Sequence, residues 1–232
     1  MYSPILSILT AIFEIVVAVI AFKSKGRKSI RYTSAVLLML LASYQILEIV
    51  ICSISQNNLL LSQLAFMVII WLPPIGILLI SYLFPIKKKL VFRYSLFLFG
   101  LSLLMVFRIL LDQNFVNQTV CSVVLARFSN PKIIYIVYSV LYQSGLLSML
   151  FLSASGVINS KDHLQRKLLG QILLGSMAFI IPALITVITV PVTKGALPSI
   201  MCHYALFFAI FISRLIYLEN KFFRKIPEKI EK

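Results

Sequence analysis

Residues 4–31 read PILSILTAIFEIVVAVIAFKSKGRKSIR. Up to residue 22 the run is apolar except for Ser7, Thr10 and Glu14, and the rest holds five bases, Lys23, Lys25, Arg27, Lys28 and Arg31. A helix needs about 20 mostly apolar residues to cross the hydrocarbon of a bilayer. Residues 4–22 therefore read as a membrane span that ends on a basic loop. Six further stretches repeat the pattern, at 33–53, 63–84, 94–111, 133–154, 168–190 and 199–218. The expected fold is all-α: a polytopic membrane protein whose seven transmembrane helices form one domain over 1–219, with a long loop at 112–132 and a short basic tail at 220–232. The first stretch lacks a basic segment before it and a small-residue cleavage site after it, so it reads as a span and not as a cleaved signal.

The composition agrees. Of 232 residues, 60% are hydrophobic and 12% charged, and the mean hydropathy is +1.00. Soluble domains run near ~45–50% apolar and ~25% charged. A disordered chain and a soluble enzyme domain are excluded on that ground, and three cysteines are too few for a secreted disulfide scaffold. Lys plus Arg number 22 against 7 acids, a net charge of +15. In a soluble protein such a charge points to nucleic acid; here its distribution points elsewhere. Beyond the first loop, Lys87, Lys88, Lys89 and Arg93 lie in 85–93, Lys161, Arg166 and Lys167 in 155–167, and Arg214, Lys221, Arg224, Lys225, Lys229 and Lys232 at the end of the last span and in the tail. The alternate loops hold none in 54–62, Arg127 and Lys132 in 112–132, and Lys194 in 191–198. One side thus carries eighteen bases and the other three, with Arg108 inside a span. Basic loops mark the cytoplasmic side. The expected topology has the N-terminus outside and the C-terminus cytoplasmic, in the cell membrane (the cytoplasmic or inner membrane if the source is a bacterium). Membrane lipids are expected partners and nucleic acid is not. The basic loops either only set this topology or also bind anionic headgroups, through Lys87–Lys89 and the tail. The tail is too short for a kinase or other output domain, so signalling would need a separate cytoplasmic partner.

Ionisable side chains in hydrocarbon are costly and face the bundle interior or a wet cavity. Ser3, Ser7, Thr10 and Glu14 share one face of the first span at helical spacing. Tyr44, Gln45, Glu48 and Cys52 cluster on one side of the second. Glu48, Arg108 and His203 each lie a few residues from the outer boundary, roughly 6 Å deep at ~1.5 Å per residue. The expected site is an outward-facing polar pocket that binds ligand through Glu14, Tyr44, Gln45, Glu48, Arg108 and His203. Arg108 either pairs with Glu48 across the pocket or snorkels to the interface beside Asp112. Tyr135, Tyr138, Tyr142 and Gln143 follow one side of the fifth span, as packing or as a lining for an apolar ligand. Gln171, Gly175, Ala178, Pro182, Thr186 and Thr189 form a small and polar stripe on the sixth, of the kind that close helix packing in lipid favours. Pro182, and Pro73 with Pro74 beside Trp71 in the third span, should kink their helices.

All three cysteines fall on the outer side, where disulfides form. Three pairings are open; Cys121 with Cys202 is favoured, pinning the long loop over the seventh span, and free thiols are the alternative. Thr119–Phe128 alternates like a short strand or lid. Asn117-Gln118-Thr119 is a glycosylation sequon on the outer face. No motif for nucleotide binding, serine hydrolysis or zinc proteolysis occurs. His163 and His203 lie on opposite sides and cannot share a metal. The last span has no lysine for a retinal Schiff base, and no aspartate pair suits intramembrane proteolysis. No enzyme activity, metal or cofactor is expected.

The runs Ser34–Ile49 (SAVLLMLLASYQILEI) and Trp71–Leu83 (WLPPIGILLISYL) carry a resemblance. They resemble the N-terminal seven-helix sensor region of some prokaryotic histidine kinases. With Gln45, Glu48 and Cys202 they are also similar to small uncharacterised prokaryotic seven-helix membrane proteins that have Q-x-x-E in the second helix and a cysteine opening the seventh. The resemblance implies membrane sensing and no enzyme. The expected function is a small-molecule or lipid sensor with an outward-facing polar pocket. The alternatives are a small-solute transporter of three-plus-one-plus-three layout, or a structural membrane subunit.

Overall fold

The computed structural model describes residues 4–54, 58–84, 88–112, 115–122, 126–129, 133–190 and 196–230, with side chains as far as Phe223. Eight helices and one hairpin are described: α1 Ile5–Lys23, α2 Lys28–Ser53, α3 Leu59–Ile69, α4 Leu72–Leu83, α5 Lys88–Leu111, β1 Gln118–Cys121, β2 Ala126–Ser129, α6 Ile133–Asn159, α7 His163–Thr189 and α8 Leu197–Ile230. With α3 and α4 taken together, seven helical segments are long and apolar enough to cross a membrane. The chain is an integral, multi-pass membrane protein by length and composition. Helices run past the expected spans at the basic end. α2 starts at Lys28 and not at 33, α5 at Lys88 and not at 94. Helical hydrogen bonding does not stop where hydropathy does, so the basic residues occupy terminal helical turns.

The third span is two helices that meet at Ile70 and Trp71, just before the prolines. Pro73 and Pro74 fill the first turn of α4, where a missing N–H costs least. Pro74 leaves the Ile70 carbonyl without its helical donor. Ser102 of α5 replaces that donor through its hydroxyl at 3.2 Å, and Ser95 donates to the Pro74 carbonyl at 2.9 Å. The break thus orients α5 through two serines.

α1 packs on α2 and α8; α2 on α3, α4 and α8; α4 on α6 and α7; α6 on α7; and α7 on α8. These helices close a ring that runs through α4, while α5 lies mainly against α3 and α4 and reaches α6 through Tyr94, whose hydroxyl is 2.9 Å from that of Ser148. Small residues permit the closest approaches. A Cβ on Gly145 would stand 2.6 Å from Pro73 Cβ, and one on Gly175 would stand 3.0 Å from Phe208 and Phe211. Gln171 and Gly175 of the small stripe on α7 are buried, whereas Thr189 at its end is exposed.

At the end opposite the basic loops, β1 and β2 pair antiparallel from Gln118–Ser129 to Cys121–Ala126. Thr119, Ala126 and Phe128 point inward and Val120 outward, the alternation expected of a half-covered ribbon. The expected Cys121–Cys202 bridge is not made: Cys121 bonds Cys52, with Cα atoms 5.6 Å apart, and Cys202 is a buried free thiol. Cys52 ends α2 beside β1, while Cys202 lies inside α8 and is buried in the core.

Candidate functional site

The buried face of α2 carries Tyr44, Gln45 and Glu48 at helical spacing, each 1% exposed. Ser199, in the first turn of α8, is fully buried opposite them. Its hydroxyl donates to Glu48 Oε1 at 2.9 Å and accepts from the Ala126 amide of β2 at 3.1 Å. One turn on, Gln45 Nε2 donates to the Cys202 carbonyl at 2.5 Å. The hairpin therefore holds Glu48 by two routes. One is covalent, through Cys121 to Cys52, one turn beyond Glu48. The other is the hydrogen-bonded chain from Ala126 through Ser199.

Three tyrosines of α6 stand beside this layer. Tyr135 and Tyr138 stack at 6.4 Å between centroids, and Tyr138 and Tyr142 at 6.2 Å. Tyr138 donates its hydroxyl to the Phe66 carbonyl at 3.0 Å. The Phe66 ring meets Phe115 and Phe128 edge-on at 5.4 and 5.0 Å, so the loop and hairpin roof this corner. Between α3, α6 and α8 a crevice of about 280 Å³, open mouth included, is lined by Phe66, Tyr135, Tyr138, Tyr142, Gln143 and Met201. Its interior has room for about one water molecule.

The six site residues expected from sequence divide. Tyr44, Gln45 and Glu48 belong to this layer. Glu14 is fully buried on the face of α1 that packs against α2 and α8. His203 is half-buried, and its Nδ1 lies 2.7 Å from the Ser199 carbonyl of its own helix. Arg108 does not join them. It is exposed on the outer side of α5, and Glu48 bonds Ser199 instead. The buried stripe of α5 runs Val91, Ser95, Leu98, Ser102, Met105, Ile109, and Arg108 falls off it. Of the two expected placements of Arg108, the pair with Glu48 is not made, because two groups at equal depth face different directions.

Sequence reading missed Ser199, Phe66, Phe115 and Phe128. A signal existed for Ser199: it opens the same helix as Cys202 and His203, at the depth of Glu48. At the other end of the bundle, Arg27 Nε bonds Glu219 Oε1 at 2.7 Å and Nη2 bonds Oε2 at 3.1 Å. The Lys25 amide donates to Asn220 Oδ1 at 2.6 Å, so the α1–α2 loop is tied to α8. Among the described residues no group of three or more His, Cys, Asp or Glu side chains is arranged to hold a metal. No protein-family model matches the chain, and no curated protein matches it.

Proposed function

We propose that this chain is a membrane sensor that binds a small molecule or lipid at the hairpin end and carries no chemistry of its own. The hairpin end faces outward and the basic end faces the cytoplasm, following the bias of Lys and Arg. The ligand has an apolar body that enters between α3, α6 and α8 onto the stacked tyrosines. A polar group on it is met by Gln143 and by the Glu48–Ser199 layer behind. The observation that carries this reading is the chain Ala126–Ser199–Glu48 beside the roofed aromatic crevice. A molecule that lifts the roof must pull on Ser199, which opens α8, so occupancy of the crevice and position of α8 are coupled. The crevice is closed to anything beyond about a water molecule, as a resting state requires. The output is a shift of α8 read by a separate cytoplasmic protein. The resemblance of the α2 and α4 runs to histidine-kinase sensor regions supports the same reading.

The test is native mass spectrometry of the purified chain in lipid nanodiscs after exposure to fractionated membrane extract. A bound small molecule is expected, and Tyr142→Trp, which fills the crevice, should abolish it while the fold is kept. A chain that retains no molecule from any fraction, or that binds equally well as Tyr142→Trp, overturns the proposal.

A second reading has one observation in its favour. Exchanging the first three spans with the last three maps neighbours onto neighbours: α1 on α8 becomes α6 on α4, and α2 on α8 becomes α7 on α4. Such internal repetition is common in transporters. Solute flux into liposomes containing the pure chain would favour it over sensing.

A further inference from the structure

Glu14 sits at the middle of α1 with none of its surface exposed, and neither carboxyl oxygen has a hydrogen-bond partner. Thr10 lies one turn earlier on the same face. It is equally buried, and its hydroxyl is also without a partner. That face packs against α2 and α8. An ionised carboxylate in such surroundings is costly unless a positive charge joins it. The chain offers none, since the buried faces of α1, α2 and α8 carry no lysine or arginine among the described residues. The titratable groups on those faces are Tyr44 and Glu48 of α2 and Cys202 of α8, all neutral or acidic. Glu219, also on α8, is held by Arg27 at the far end, and the half-buried His203 is turned to its own helix.

We propose that Glu14 and Thr10 form a buried site for a single positive charge, a proton or an alkali-metal ion taken from solution. A proton makes the carboxyl a donor, and the Thr10 hydroxyl is the acceptor one turn away. An alkali-metal ion takes carboxylate and hydroxyl oxygens together, the hard ligands it prefers. In both cases the charge binds the folded bundle and not the separated helices, so it strengthens the seating of α1 on α2 and α8. The site does not depend on the sensor reading, because it uses no residue of the crevice.

The test is the thermal unfolding midpoint of the full chain in nanodiscs of neutral lipid. One arm replaces choline chloride with sodium chloride at constant ionic strength and pH; the other lowers the pH in choline chloride. A rise of several degrees with sodium identifies an alkali-metal ion, and a rise with acid alone identifies a proton, whose stabilisation is lost as pH rises. Glu14→Gln, neutral and of the same shape, should fold and lose the response. Thr10→Val should weaken a sodium response, and Glu48→Gln should leave either response in place. A wild-type midpoint indifferent to both sodium and acid overturns the site without recourse to any variant. So does a response that survives in Glu14→Gln or vanishes in Glu48→Gln alone.

Discussion

One serine hydroxyl joins the hairpin to the core. Ser199→Ala leaves both the Glu48 carboxyl and the Ala126 amide short of a bond, and each buried group so deprived costs about 1–3 kcal/mol. Glu48→Gln keeps an acceptor oxygen and should cost less. The two changes should be strongly non-additive when denaturation is followed in detergent, as expected for groups in contact. Arg108→Gln should change stability by no more than about 0.5 kcal/mol, as exposed positions do. Coupling between Arg108 and Glu48 in the same measurement would contradict the placement of Arg108. Much of this layer was legible in the sequence. Tyr44, Gln45 and Glu48 break an apolar helix at consecutive inward positions, and polar groups in lipid turn inward. The direction of Arg108 was not legible, because a lipid-facing surface is as apolar as a bundle core and hydropathy reports depth without azimuth. Ser95 and Ser102 were the available mark of the inward face of α5.

Helix contacts turn on single atoms at glycines. Gly145→Ala puts a methyl against Pro73 and should force α6 away from α4, at about 1–3 kcal/mol for an overpacked contact. Gly100 and Gly170 have open space where a Cβ would go. Alanine there should be neutral or stabilise by up to ~1 kcal/mol, the ordinary gain in a helix interior. The comparison separates packing from propensity, and equal effects at Gly145 and Gly170 would remove the packing explanation. Expectation and structure agree on the existence of each span and differ on its detail. The two prolines marked a kink, and they mark a full break one turn earlier with both prolines in the first turn of α4, whereas Pro182 sits inside α7 without ending it. That α5 serines satisfy the broken helix is a tertiary fact, with no trace in local sequence beyond their small polar character.

For the molecule as a whole, the disulfide closes a loop of 69 residues that holds α3, α4 and α5. Cross-linking a loop of that length stabilises by about 2–4 kcal/mol where the unfolded chain is free, and by less where helices stay in lipid. Peptide mapping without reduction should find Cys52 joined to Cys121, and Cys202 should alkylate only after denaturation. A peptide that joins Cys121 to Cys202 would reverse the assignment. That the three cysteines lie toward the end opposite the basic loops was legible from charge bias, but which two meet depends on the order of helices around the ring. Seven similar apolar spans do not encode that order in their hydropathy.

The length of α8 has a mechanical consequence. At about 1.5 Å per residue, Leu197–Ile230 runs roughly 50 Å, with Pro227 in its last turn. The Arg27–Glu219 pair grips it about two-thirds of the way along. Treated as a rigid lever on that fulcrum as far as Phe223, it returns a sideways shift at Ser199 as an opposite shift of about a fifth of the size at Phe223. The hairpin end and the Phe223 end of α8 are then the two arms of one beam, and the ion pair sets its gearing.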